Sequence, residues 1–170
     1  KNDRIWELDA LRGICILCVI LIHLIFDLIY FIGLDLHLPA WYVFVQQYGG
    51  VIFVVLSGCC ATLGSRSFRR GGMLISLVTC GMYRLGMASR DVIVWFGVLH
   101  LLGVCMMLYP VYKKLPTQAL AAVGVVLVVT GYLISGTVVK AKFLFSFGFV
   151  YEGFTSSDFF PILPHLGWYM

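Results

Sequence analysis

Apolar stretches of about 20 residues recur along this chain, and about 20 apolar residues in a helix are what the hydrocarbon core of a bilayer demands. Five such stretches can be delimited: 13–33, 41–63, 72–88, 92–112 and 118–139. Of the 170 residues, 61% are hydrophobic, against 12 Lys and Arg and 8 Asp and Glu. That balance leaves too little polar surface to clothe a soluble core, and it excludes a disordered chain. The expected fold is therefore an all-α integral membrane protein, a polytopic helical bundle with at least five transmembrane spans. A sixth span begins near Pro161 at the C-terminal end. Residues 1–170 read as a single membrane-embedded domain. With Lys1 first and Met170 inside an apolar stretch, the domain is expected to be incomplete at the C-terminus and the chain to continue at one or both ends.

Charge placement gives the expected sidedness. With the N-terminus in the cytoplasm, Lys1, Arg4, Arg12, Arg66, Arg69, Arg70, Lys113 and Lys114 fall on the inner side. Arg90, Lys140 and Lys142 fall outside, and Arg84 lies within a span, where its long side chain can snorkel to the interface. This bias points to a multi-pass protein of the plasma membrane whose partner is the lipid bilayer. The net charge of +4 is spread over the ends of apolar runs rather than gathered into a patch, which argues against a nucleic-acid partner. Cys15, Cys18, Cys59, Cys60, Cys80 and Cys105 sit in or beside apolar runs, so they read as reduced, buried, small side chains. No Gly-x-x-x-Gly pair occurs, so helix contacts must use other small residues or polar side chains. Lys140 and Lys142 lead into an aromatic segment, 143–154, of interfacial character.

In lipid an ionisable side chain costs several kcal/mol unless it is paired, hydrated or neutral, so each one inside a span is a candidate site residue. The first span carries a pattern. Eleven helical steps separate Arg12 from His23, which amounts to three turns plus roughly 20° and puts both residues on one face. The rise between them is about 16 Å, taking His23 toward the bilayer midplane. Asp27 follows four residues later, a spacing at which its carboxylate can accept a ring N–H and fix the tautomer. An arginine at the mouth and an imidazole deep inside suit a donor with a polyanionic handle and a distant reactive group, as in an acyl-coenzyme A. The same residues also fit a membrane anchor (Arg12) and a structural His–Asp pair.

The stretches RIWELDALRGICILCVILIHLIFDL, GGVIFVVLSGCCATL, FGVLHLLGVCMMLYP and DFFPILPHLGW resemble bacterial members of the heparan-alpha-glucosaminide N-acetyltransferase catalytic-domain family. That family is similar to the wider transmembrane acyltransferases, whose first span carries an Arg, ten intervening residues and a His. Arg12 and His23 match that spacing, and Phe53, Leu56, Ser57 and Gly58 match a second-span signature ending in Leu-Ser-Gly. The resemblance implies transfer of an acetyl or other acyl group from cytoplasmic acetyl-CoA, or another acyl-CoA, across the bilayer. The acceptor would be a hydroxyl or amine of an extracytoplasmic sugar, in a glycan or glycolipid. It also implies Arg12 as a contact to the donor and His23 as the base, with Ser57 in the matching motif. Arg66, Arg69 and Arg70 directly follow the second span, where they fit either donor phosphates or positive-inside anchoring. Eukaryotic heparan enzymes place Asn at the position of His23 and use a His ahead of the second span. His37, 21 residues before Gly58, sits at the matching distance and is a rival base. Larger members have more spans, so a complete acceptor site is expected to need residues beyond this sequence or a second copy of the chain, as a homo-oligomer.

The remaining polar positions are expected to play smaller parts. His100 reads as a helix-to-helix hydrogen bond or a second site histidine, and Asp158 and His165 flank FFPILP at the outer surface. Asp158 can bind a sugar hydroxyl or amine there, or serve as a plain turn residue. Gln46 and Gln47 can satisfy one another or line a wet cavity. Cys15 and Cys18 have no second pair with which to hold zinc, so no metal is expected. The rival reading is a small proton-coupled transporter relaying through His23, Asp27 and His100. Such carriers often show an internal repeat, and none is visible.

Overall fold

The computed structural model describes residues 6–35, 37–64, 66–88, 94–156 and 158–170. Lys1, Arg4 and Arg90 lie outside the described residues, as does the side chain of Gln47. Among the described residues six α-helices follow in chain order: α1 (Trp6–Ile32), α2 (Ala40–Ala61), α3 (Ser67–Ala88), α4 (Val98–Tyr112), α5 (Thr117–Ile134) and α6 (Ile162–Tyr169). A 3₁₀ helix, Lys142–Phe147, stands between α5 and α6. The described residues form no strand, only two isolated bridges.

Local chemistry sets the helix ends. Pro39, Pro116 and Pro161 immediately precede α2, α5 and α6, where a missing backbone N–H leaves no orphan donor. Gly33, at φ +71°, closes α1 by donating to the Ile29 carbonyl, while the Leu34 N–H reaches back to Leu28. This is the left-handed cap that glycine adopts without strain.

Among the described residues two helices are long and apolar enough to cross a membrane, Trp6–Ile29 with mean hydropathy 2.4 and Thr117–Ile134 with 2.0. A third is added if Ala40–Gln46 and Tyr48–Ala61, bent by 46°, make one span. The count of five full crossings is therefore not reproduced. α4 has 15 residues, about 22 Å of helix against a hydrocarbon core of about 30 Å. α4 starts only at Val98 because Phe96 pairs with Phe159, the Phe160 N–H donating to the Phe96 carbonyl at 2.8 Å. α5 stops at Ile134, where Ser135 leaves helical conformation and Gly136 turns the chain at φ +80°, and 137–139 then pairs with Val150. α3 is long enough at 22 residues but carries Arg69, Arg70 and Arg84.

Packing runs through facing glycines. A Cβ on Gly71 would stand 2.5 Å from the Gly103 carbonyl, which brings α3 and α4 into backbone contact. Gly124 of α5 faces Gly167 of α6, and Gly58 of α2 lies against the Tyr169 carbonyl of α6. Single glycines on facing helices thus replace the missing Gly-x-x-x-Gly motif. α1 packs against α2, where the Tyr42 hydroxyl donates to the Ile22 carbonyl at 3.4 Å. Val54, Leu101 and Cys105 form the fully buried centre, at the junction of α2, α4 and α6. All six cysteines are free thiols; Cys105 is buried, Cys15 and Cys60 half-buried, and Cys18, Cys59 and Cys80 exposed rather than buried as expected.

Candidate active site

Two polar centres form among the described residues, joined by α1. The first is a cavity of about 190 Å³ walled by parts of all the helices except α5, with Arg12, Ser57, Cys60, Ser67, Arg70 and Tyr169 in its wall. Arg12 Nε and Ser57 Oγ are buried there without a hydrogen-bond partner. Buried polar atoms are nearly always satisfied, so two orphan groups around one cavity make it a candidate site for a polar ligand. Tyr169, 4% exposed, lies within electrostatic reach of Arg12. Arg66 and Arg69 are exposed and stand outside the cavity wall. Arg66 has φ +60°, a left-handed conformation that turns the chain from α2 into α3.

The second centre gathers around Asp158. Its carboxylate accepts the Val98 N–H at 3.2 Å and so caps α4 from a segment 60 residues away. Phe96–Phe159 pairing holds that segment in place, and the Ser156 hydroxyl ties it further, donating to the Asp158 carbonyl at 2.7 Å. Gly97 makes room: a Cβ there would stand 2.5 Å from Asp158 Oδ2. Burial pushes the Asp158 carboxyl above the usual Asp range; the Val98 N–H, then His23, then His100 pull it back down. His23 and His100, 77 positions apart in the sequence, thus lie within electrostatic reach of one carboxylate.

His100 is 8% exposed, stacks on Phe96 with centroids 5.8 Å apart, and meets Thr79 of α3 through Nε2 at 3.3 Å. The helix-to-helix hydrogen bond read from sequence is present, while His100 Nδ1 stays without a partner. His23 is exposed and its Nδ1 pairs with the Val19 carbonyl at 2.8 Å instead of with Asp27. Helical side chains lean toward the N-terminus, so the ring falls back over Val19 and away from Asp27. Asp27 and His37 are exposed, the latter in the α1–α2 connection. His165 Nδ1 pairs with the Pro161 carbonyl at 2.9 Å. Among the described residues no group of three or more His, Cys, Asp or Glu is placed to hold a metal.

Sequence reasoning missed Thr79, Gly97, Ser67 and Tyr169. None carries a local signal, since each matters through a neighbour on another element.

Membrane-length apolar helices, together with polar groups gathered at an arginine-lined cavity and around Asp158, are the features of a helical membrane protein with a candidate internal site. The family model described as heparan-alpha-glucosaminide N-acetyltransferase, catalytic, matches residues 4–170, and the chain belongs to that family. It is thereby a membrane acetyltransferase domain. No curated protein and no solved structure matches the chain.

Proposed function

We propose that the protein transfers an acetyl group from cytoplasmic acetyl-CoA to a hydroxyl or amine of a sugar on the opposite side of the membrane, with its N-terminus in the cytoplasm. The observation that carries this reading is the single helix α1, which presents Arg12 to the cavity and His23 to the field of Asp158 about 16 Å further along. Arg12 and Arg70 hold donor phosphate through charge-assisted hydrogen bonds, and Ser57 adds a hydroxyl donor. His23 takes the proton of the acceptor as its oxygen or nitrogen attacks the thioester carbonyl. The C–S bond then breaks, a C–O or C–N bond forms, and the proton passes from His23 to the leaving thiolate. Asp158 stabilises the imidazolium formed between those steps, taking the part that spacing assigned to Asp27.

The test uses purified protein in lipid nanodiscs with radiolabelled acetyl-CoA and glucosamine as the probe acceptor. Protein-dependent thiol release with label on the sugar is expected, lost in His23→Ala and kept in His37→Ala. The opposite pattern makes His37 the base. Solute flux in liposomes with the thioester intact would establish the carrier instead.

A further inference from the structure

We propose that His100 is a positioning residue for the transfer, one that holds the Asp158 carboxylate charged and in place for His23. This rests on the transfer reading above and adds a residue which that reading leaves idle. Three links tie the ring to the carboxylate. Asp158 accepts the Val98 N–H at the start of α4, and His100 stands in the same first turn. Side chains in a helix lean toward its N-terminus, and the His100 ring accordingly lies back on Phe96, with ring centroids 5.8 Å apart. Phe96 in turn pairs with Phe159, the neighbour of Asp158. The His100 side chain is thus buried within electrostatic reach of that carboxylate.

Thr79 of α3 sets where the ring proton sits. Its hydroxyl meets His100 Nε2 at 3.3 Å and has a proton to donate, which leaves the ring proton on Nδ1. The other tautomer would bury a bare lone pair at Nδ1 near a carboxylate, and like partial charges repel. Among the described residues Nδ1 is buried without a hydrogen-bond partner, so no other acceptor competes with Asp158 for its N–H. The charged form of Asp158 is thereby favoured over the neutral acid that burial promotes.

The experiment measures thiol release from acetyl-CoA in nanodiscs, with glucosamine as acceptor, for two replacements that set packing against polarity. His100→Phe keeps a ring to stack on Phe96 but has no nitrogen, whereas His100→Gln loses the ring and keeps an N–H donor and an acceptor for Thr79. His100→Phe is expected to lower kcat about 10- to 100-fold, as for loss of one hydrogen bond to a charged group, with KM for acetyl-CoA unchanged within about threefold. His100→Gln should recover most of that loss. Thr79→Val, which releases the tautomer, should lower kcat about two- to tenfold, and it decides the matter where either His100 variant fails to fold. Should His100→Phe keep kcat as well as His100→Gln does, the ring is a packing group and the inference fails with the transfer reading intact. A change in KM in place of kcat, or an unaltered kcat in Thr79→Val, overturns it in the same way. Wild-type protein that releases no thiol overturns the transfer reading itself, and this inference with it.

Discussion

Replacing Arg12 separates binding from chemistry. Its Nε is buried without a protein partner in the cavity wall, and His23 lies about 16 Å away along the same helix. Arg12→Ala removes the charge and the fork of donors but touches nothing near the histidine–carboxylate centre. A hydrogen bond to a charged group contributes about 1.5–3 kcal/mol, and each 1.4 kcal/mol is tenfold in affinity. Losing one such contact raises KM for acetyl-CoA about 10- to 100-fold and leaves kcat within about threefold. Arg12→Lys keeps the charge but not the bidentate geometry, so it falls between wild type and Ala. The assay is initial-rate thiol release across a range of acetyl-CoA concentrations, at low and high salt. Salt should raise the wild-type KM more than that of the Ala variant, because screening acts on the contact that the variant lacks. A fall in kcat at unchanged KM would refute the reasoning, since it would place Arg12 in the chemical step rather than at the donor's phosphates.

Other perturbations test the second centre and the packing that holds it. Gly97→Ala pushes on Asp158 Oδ2 and, by shifting the carboxylate, should lower kcat about 10- to 100-fold with the helical circular dichroism retained. Burial raises the Asp158 carboxyl, so its contribution to stability is full below the ordinary value of about 3.9 and fades as pH rises through the folded value. The wild-type melting temperature should accordingly fall more steeply than that of Asp158→Asn as pH is raised from about 4 in nanodiscs. Thr79→Val strips His100 Nε2 of its partner and should cost about 1–3 kcal/mol, read as a lower midpoint in denaturant. Gly71→Val drives α3 from α4 at the Gly103 carbonyl and should cost about 1–3 kcal/mol or more, whereas Gly72→Ala, with nothing within 4 Å, should be near neutral.

Much of this protein is determined by order along the chain. Apolar runs of bilayer length and helical periodicity are local properties, so the long apolar α1 and the common face of Arg12 and His23 are legible from residue type and spacing alone. The Leu-Ser-Gly signature likewise announces Ser57, which lines the same cavity as Arg12. What tertiary structure decides is which groups those side chains meet. Asp27, one turn beyond His23, is the carboxylate that spacing favours, but side chains in a helix lean backward and the ring takes the Val19 carbonyl. The carboxylate in the field of His23 comes from Asp158, brought there by the Phe96–Phe159 pairing and by space at Gly97. The crossing count changes partly for the same reason: 96 and 138 pair with distant backbone, although past α5 the local Ser135-Gly136 turn, with Gly136 at φ +80°, already ends the helix. Composition states only that a segment is apolar. Whether its backbone donors close inside a helix or on a partner elsewhere is settled by the partner's position, which no local pattern encodes.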